Sequence, residues 1–361
     1  MFHLVASEVR RSFRRFRGIV SVCIPALLFW ASTAPVGAQQ DTVPLRPIGN
    51  IFDPLSVPAR AISDIGIFAS LICLGIFIVV AGLLVFTVIK FRRKVGDDDA
   101  EPPQIYGSTQ IELAWTVLPV LITVVLVLVT ARTIAEIQNR KIPESALTIR
   151  VIGHQWWWEA HYPQYGFVTA NEIHIPLSTK DRPVITELQL ESADVIHSFW
   201  VPQLNGKTDV IPNRTNRMWL EPEQTGVYLG NCAEYCGTQH ANMLLRVVVH
   251  DPAEFEKWVQ SQQAPAMQVA SAQKGRELFA SLNCVNCHRI DGSIAEGVFG
   301  PDLTHLMTRR TIGAGVAANT PENLHQWVRD PQVLKVGCLM PNLQLLDNEV
   351  DEIVGYLQTL H

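Results

Sequence analysis

The sequence predicts a multi-domain membrane protein: a two-helix transmembrane hairpin, then an exported β-barrel or sandwich, then an exported all-α domain. Three observations lead there. Two stretches free of charge, residues 65–89 and 113–131, are long enough to cross a bilayer. Residues 147 to about 250 read as short runs rich in Val, Ile, Leu and Trp, punctuated by Pro and Gly. From Ser271 onward the apolar residues recur at helical spacing. At ~100–200 residues per domain, a chain of this length holds two or three. Its 361 residues are 48% apolar and 17% charged, with a mean hydropathy of +0.15, too apolar for a chain freely soluble from end to end. The net charge of −5 argues against a nucleic-acid partner, which would require a basic face.

Residues 1–38 read as a secretory signal peptide. Arg10, Arg11, Arg14, Arg15 and Arg17 form its basic start, residues 19–30 its apolar stretch, and Val36-Gly37-Ala38 a small-residue cleavage site. An uncleaved signal anchor is the competing reading. Arg10-Arg11 also resembles a twin-arginine pair, which any basic start produces easily. Val22, which is not small, speaks against lipid attachment at Cys23. Removal of the signal leaves 24 basic and 33 acidic residues, a net charge of −9. The hairpin lies within residues 39–137. As helices, the 25 residues of 65–89 span ~37 Å and the 19 of 113–131 span ~28 Å. Both fit a hydrocarbon core of ~30 Å. The loop between them opens with Lys90, Arg92, Arg93 and Lys94, and positive charge in a short loop places it in the cytoplasm. Asp97, Asp98 and Asp99 offset that little, because acidic residues count weakly in this rule. Both the mature N-terminus and everything after residue 131 therefore lie outside.

Runs at 147–152, 184–190, 218–220 and 244–249 are separated by Pro176, Pro183, Pro202, Asn205-Gly206, Pro212 and Gly226. They predict an antiparallel sandwich or barrel across a domain at 138–258. Residues 259–270 are rich in Gln, Ala and Pro and read as a linker. The last domain, 271–361, carries helical spacing at 271–282, 321–329 and 347–360, with Pro321 and Asp347 suited to helix starts. There is no internal repeat.

Four of the seven cysteines form two tight pairs, Cys232/Cys236 and Cys284/Cys287, at spacings that suit metal or heme chemistry. The first pair sits in Cys232-Ala-Glu-Tyr-Cys236-Gly-Thr-Gln-His240-Ala-Asn-Met243, between two strand-like runs. His197 lies upstream in Asp194-Val-Ile-His197-Ser-Phe-Trp200. Cys-x3-Cys alone suits a disulfide or half of a zinc site as well as copper. With His197, His240 and Met243 added, copper is favoured, because soft sulfur with imidazole suits it and zinc leaves Met243 without a use. A mononuclear blue site needs only one Cys. Two bridging thiolates can instead hold two coppers, with one His each, Met on one and a backbone carbonyl on the other. The unpaired electron then spreads over both metals, and little geometry changes on reduction.

These residues resemble subunit II of the heme–copper cytochrome c oxidases, over roughly 45–255. The likeness includes Gln110-Ile-Glu112-Leu-Ala-Trp115-Thr-Val-Leu-Pro119, Gly153-His-Gln-Trp156-Trp157-Trp158, and His197-Ser-Phe-Trp-Val-Pro-Gln-Leu-Asn-Gly-Lys-Thr-Asp-Val-Ile-Pro212. The resemblance implies a helical hairpin followed by a cupredoxin-like β-barrel with a dinuclear CuA centre. Its side-chain ligands would be His197, Cys232, Cys236, His240 and Met243, with Glu234 ligating through its backbone carbonyl. The Glu234 carboxylate would point to a Mg2+ shared with subunit I. Glu112 would mark a proton-channel entrance into subunit I, although taken alone it reads as a boundary carboxylate facing the headgroups. Trp156 would be where electrons come in, although Trp156, Trp157 and Trp158 also suit a barrel core.

Cys284-Val-Asn-Cys287-His288 is a c-type heme attachment motif, with two thiols for thioether bonds and His288 as proximal ligand. Gly275-Arg-Glu-Leu-Phe279 precedes it and Gly300-Pro301-Asp-Leu303 follows, so residues 271–361 resemble a class I cytochrome c. That likeness implies Met340 as sixth ligand, which raises the heme potential. Val336-Gly337-Cys338 departs from the Pro-Gly-x-x-Met pattern often seen there. Met307, His305 and His325 read as core or surface residues rather than ligands.

The whole reads as subunit II of a caa-type, proton-pumping bacterial cytochrome c oxidase with a fused cytochrome c. It would work with subunit I and subunit III in the inner membrane, with its copper and heme domains on the periplasmic side. Electrons would come from a periplasmic or membrane-bound cytochrome c, pass the heme and the copper pair, and reach subunit I, which reduces O2 to water. The chain itself holds no catalytic acid, base or nucleophile. The linker would set an effective concentration of ~mM between the two redox domains. A copper-containing subunit of a nitric-oxide-type or nitrous-oxide reductase and a tethered copper/heme redox carrier or sensor are the alternatives.

Overall fold

The computed structural model describes residues 50–93, 104, 106–267 and 269–361. The predicted signal peptide, Lys94 and the Asp97-Asp98-Asp99 run lie outside them. Helix α1, Val57–Lys90, starts eight residues before its charge-free stretch. Ser56 caps it, its hydroxyl accepting from the Ala59 amide, and Pro58 sits in the first turn. Helix α2, Thr109–Gln138, contains Pro119 and runs seven residues past its charge-free stretch. At 1.5 Å per residue the two helices are about 51 and 45 Å long, well over a hydrocarbon core of ~30 Å. The excess stands outside the bilayer, where Arg60, Asp64, Arg132 and Glu136 are solvated. Along the spanning parts, side chains such as Leu71, Phe77, Leu121 and Leu128 are exposed on all faces of this chain, as helices facing lipid or other subunits require.

The helix ends are stitched to the β-domain. Leu55 N–H donates to Gln203 O at 2.9 Å, and Glu223 N–H donates to Leu55 O at 3.0 Å. The Ser56 hydroxyl reaches Leu204 O, and Arg60 pairs with Glu223. From α2, the Ile137 carbonyl accepts from Trp219 Nε1 at 2.8 Å, and Arg140 lies over the Trp219 ring.

The β-domain has ten strands: β1 Leu147–His154, β2 Trp157–Tyr162, β3 Phe167–Ala170, β4 Glu172–Pro176, β5 Thr186–Ser192, β6 His197–Trp200, β7 Thr208–Val210, β8 Asn216–Leu220, β9 Gly226–Cys232 and β10 Leu244–His250. They form two five-stranded sheets, ordered β3-β2-β1-β5-β8 and β4-β10-β9-β6-β7. The expected antiparallel pattern is corrected at two places: β1 pairs with β5, and β4 with β10, in parallel. Neither pair is consecutive in the chain, so no hairpin turn constrains its direction. Alternation along β1 buries Leu147, Ile149 and Val151 and exposes Arg150. Trp158 fills the centre between the sheets, its ring 5.6 Å edge-on from Phe199 and 6.0 Å from His197.

Helix α3, Pro252–Gln262, closes the domain, burying Phe255 and Val259 while Trp258 stacks on His174 at 4.1 Å. The predicted linker is therefore shorter than expected. Its first four residues are helical because Val259 and Gln262 are packed. The final domain holds α4 Gln273–Ser281, a small hairpin of β11 Thr311–Ile312 and β12 Ala317–Ala318, then α5 Pro321–Arg329, α6 Pro331–Leu334 and α7 Asp347–Leu357. Thr320 caps α5 through the Asn323 amide at 3.2 Å. Helices α4 and α7 cross at Gly275, where a Cβ would stand 2.0 Å from the Glu352 carbonyl oxygen. Gly275→Ala is expected to force the helices apart and destabilise this domain by about 2 kcal/mol, read as a lowered denaturant midpoint in its far-UV circular dichroism.

Candidate copper and heme sites

The 232–243 loop is closed by the Cys232 N–H donating to the Met243 carbonyl at 3.0 Å, and a 3-10 turn at His240–Asn242 folds its middle back. This gathers the donors in space. Cys232 Sγ lies 3.8 Å from Cys236 Sγ, 3.9 Å from His197 Nδ1 and 3.1 Å from the Glu234 carbonyl oxygen. Cys236 Sγ lies 3.7 Å from His240 Nδ1 and 3.8 Å from Met243 Sδ. A disulfide needs sulfurs ~2.05 Å apart, so these are two free thiols. His197, Cys232, Cys236 and Met243 are buried. The donor set is rich in soft sulfur, shielded from water and supplied with imidazole lone pairs, and it fits copper.

The two sulfurs share one proton between them. The hydrogen bond from Cys236 is the main reason the Cys232 sulfur sits well below the usual thiol range. The same pairing, together with burial, pushes Cys236 upward. Asp194, which sequence reasoning left without a role, orients His197. Its carboxylate accepts from His197 Nε2 at 2.8 Å and leaves Nδ1 facing Cys232. Burial raises the Asp194 pKa, but bonds from His197, Val195 N–H and Gln155 N–H outweigh it and hold the carboxyl low. Gly153 packs under the ring, where a Cβ would stand 2.8 Å from His197 Cδ2. The motif Asp-x-x-His was the available signal.

In the last domain, Cys284, Cys287, His288 and Met340 line one apolar cavity of about 350 Å³, with Leu303 and Ile353 among its walls. His288 Nδ1–H donates to Pro301 O at 2.8 Å, which leaves Nε2 as the free lone pair. Burial lowers the His288 pKa, so the ring is held neutral and able to ligate. Gly300 allows the close approach, since a Cβ there would lie 2.6 Å from His288 Cε1. The Met340 segment lacks the Pro-Gly start, and Gln332 holds it instead. Gln332 Nε2 donates to Cys338 O at 3.0 Å and to Met340 O at 2.9 Å, while its Oε1 accepts from Gly337 N–H at 2.7 Å. Attachment thiols, a neutral imidazole, a thioether and apolar walls together fit a covalently held heme.

The two sites share a wall. Trp156 lines the heme cavity, and its Nε1 donates to the Cys236 carbonyl at 3.0 Å. Around it the two domains meet in a built interface, rather than being joined by a free tether. Glu172, 1% exposed, accepts from Arg310 N–H at 2.9 Å, Thr311 N–H at 3.1 Å and Thr311 Oγ1 at 3.2 Å. Arg246 Nη1 donates to Thr311 Oγ1 at 2.9 Å, and Leu244 N–H donates to Ala314 O at 3.1 Å. Gln239 Nε2 reaches Val336 O. Lys335 is also buried here, and burial pushes its pKa down to about 7 while the Cys338 and Cys236 sulfurs pull it up.

The remaining predicted residues lie apart. Glu112 stands exposed in the first turn of α2. The Glu234 carboxylate is half-exposed and lies 3.9 Å from Lys207 Nζ. Met307 packs against the core of the last domain. His305 spends its ring nitrogens on His361 O and Gln262 O, and His325 Nε2 meets Asp351 at 3.1 Å.

Family models match the chain in three consecutive parts. The "Cytochrome C oxidase subunit II, transmembrane domain" matches residues 51–132, the periplasmic domain of the same subunit 147–250, and "Cytochrome c" 272–361. Cytochrome c oxidase subunit 2 of Alkalihalophilus pseudofirmus is 35% identical over 315 residues, which cover 85% of this chain and 90% of that relative. The subunit 2 of Bacillus sp. strain PS3 is 31% identical, covering 75% of this chain and 80% of its own. Among solved structures, the periplasmic domain of subunit II of cytochrome oxidase from Bradyrhizobium japonicum is 32% identical. It covers 34% of this chain and 97% of that one, with a TM-score of 0.32. With both oxidase parts and the cytochrome c part matched in order, and a relative covered over nine-tenths of its length, the chain belongs to the cytochrome c oxidase subunit II family, in the form that carries its own cytochrome c domain.

Proposed function

We propose that this oxidase subunit takes up electrons at a heme c and passes them through a dinuclear CuA centre to subunit I. The single observation that carries this reading is the convergence of six donors at the 232–243 loop, one tryptophan away from a cavity lined by Cys284, Cys287, His288 and Met340. Cys232 and Cys236 would bridge the two coppers, His197 and His240 would ligate one each, and Met243 and the Glu234 carbonyl would complete the pair. Cys284 and Cys287 would attach the heme, with His288 and Met340 as axial ligands. The bound groups supply reversible one-electron chemistry. The residues of this chain do the rest: Asp194 and Pro301 fix which imidazole nitrogen is free, the buried loop excludes water, and Trp156 bridges the sites.

The basic residues Lys90, Arg92 and Arg93 after α1 support an orientation with both redox domains on the periplasmic side of a bacterial inner membrane. The exposed hairpin supports assembly with subunit I and subunit III. A periplasmic or membrane-bound cytochrome c would be the donor. Glu234 would contribute to a Mg2+ shared with subunit I, and Glu112, at the cytoplasmic start of α2, would open a proton channel there.

Purification from native membranes in mild detergent tests the function. Two coppers and one heme c on this chain are expected, together with an O2-consuming, heme-bearing partner. The chain eluting alone with its metals would instead make it a tethered redox carrier. Asp194→Asn is expected to weaken copper binding by about 10–100-fold in a chelator competition, because the second ligand shell of a metal-bound imidazole is worth that much. Met340→Ala is expected to leave the heme covalently attached but lower its potential in a redox titration, since thioether ligation raises it. An unchanged potential would remove Met340 from the ligand set.

A further inference from the structure

Between the proposed copper loop and the heme cavity lies one charged side chain that the proposed function does not use. Lys335 follows α6 and is 3% exposed. Its ammonium donates to three backbone carbonyls: Trp156 O at 2.7 Å, Asn242 O at 2.8 Å and Gly313 O at 2.9 Å. All three of its protons are used. The acceptors come from three different places. Trp156 precedes β2 and bonds the Cys236 carbonyl through its indole. Asn242 belongs to the 3-10 turn between His240 and Met243. Gly313 belongs to the cytochrome hairpin and lines the heme cavity. A single buried cation thus ties the bridging tryptophan, the copper loop and the heme domain to one point.

We infer that Lys335 is a positioning residue for electron transfer within this chain: it fixes Trp156 between the heme cavity and the Cys236 carbonyl. The inference rests on the copper and heme assignments proposed above. The step it serves moves one electron from ferrous heme to the oxidised copper pair, and no bond forms or breaks. Lys335 lines the heme cavity but is a ligand of neither group, and it acts through Trp156 and Asn242. Apolar packing could hold the domains together, but only a donor with several protons satisfies three converging carbonyls that the interface has closed off from water. The interface has a second charged anchor, Glu172, whose hydrogen bonds go to Arg310 and Thr311 and to none of the groups that Lys335 holds, so docking and positioning can be separated.

The test uses the assembled oxidase. Copper content, heme content and the EPR and optical spectra of the unaltered enzyme are measured first. Absence of either cofactor there would fail the assignments rather than this inference. Lys335→Met and Glu172→Gln are then compared by flash-induced electron transfer from heme c to copper. Lys335→Met is expected to slow the transfer by about tenfold, within what a small misplacement of a reacting geometry costs. Its two spectra should stay unchanged, and hydrogen exchange should speed up in peptides around Trp156 and Asn242. Glu172→Gln is expected to change the rate by less than about twofold, because Glu172 shares no hydrogen-bond partner with Lys335. Lys335→Gln, which keeps two N–H donors, should recover part of the rate, and it takes the place of Lys335→Met if that variant does not assemble. A rate within twofold of the unaltered enzyme, equal slowing by Glu172→Gln, or loss of either cofactor spectrum would each overturn the inference.

Discussion

Closure of the loop between β9 and β10 is the constraint from which the rest of the molecule follows. The Cys232 N–H and the Met243 carbonyl meet at 3.0 Å, and the ten-residue excursion between them is pulled into a tight cup. Inside the cup, sulfur and imidazole atoms approach to under 4 Å, a density of donors that water would disrupt and that a barrel end keeps dry. The two neighbouring strands then acquire fixed duties. Strand β6 must bring His197 to the cup, and β9 must end at Cys232, where Phe199 is its paired neighbour. Gly230, on β9, lies so close to the Trp200 carbonyl that a Cβ would come within 2.6 Å. The sheet therefore tolerates no side chain there, and the approach of β6 to β9 fixes the distance from His197 to the thiols.

The site was far more legible than the strands that hold it. Two cysteines three residues apart, with His240 and Met243 behind them, form a pattern whose chemistry does not depend on context. Strand β6, which carries His197, was not foreseen. It is four residues long and begins with a polar residue, too short for alternation to register. Strands β2, β3, β4, β7 and β9 were missed for related reasons: they are short, or they carry His161, Glu172, His174 or Asn231 on faces that the fold partly or fully covers. The helix ends escaped for the opposite reason. Arg60, Asp64, Arg132 and Glu136 stop a charge-free stretch, yet helix continues through them because it has already left the lipid. The Arg132–Glu136 pair, 2.8 Å apart and one turn apart, is what such a solvated turn looks like.

The residues hidden from sequence reasoning are polar side chains tied up in hydrogen bonds: Asp194, Gln332 and the buried Glu172 and Lys335. Lys, Glu and Asp are among the residues least often buried, so in a bare sequence each reads as surface. The burial of Glu172 and Lys335 is tolerable because both are hydrogen-bonded at every turn. Glu172 accepts three bonds, Lys335 donates three, and Gln332 uses both ends of its amide. No periodicity or composition signals such a network, since it joins residues as far as 179 positions apart. Gln332 shows the point most directly. The Val336-Gly337-Cys338 segment lacks the proline that would stiffen it locally, and a side chain four residues upstream supplies the missing constraint through three hydrogen bonds.

A tether and a docked interface solve different physical problems. A flexible linker raises the encounter frequency of two redox domains to an effective ~mM but leaves their orientation free. Here α3 shortens the tether, and the docked face supplies the orientation. That face is held by polar contacts rather than by a broad apolar patch, and this decides how well its register is defined. Apolar surfaces slide with little penalty. If the cytochrome domain slid by one residue, the Glu172 carboxylate would lose Arg310 and Thr311, and the Lys335 ammonium would lose all three carbonyls, in a space without water to replace them. A buried charge stripped of its partners costs about 3–5 kcal/mol, so two such anchors penalise any shifted arrangement far beyond thermal energy. Trp156 is positioned by that penalty, and the wall common to the copper loop and the heme cavity is positioned with it.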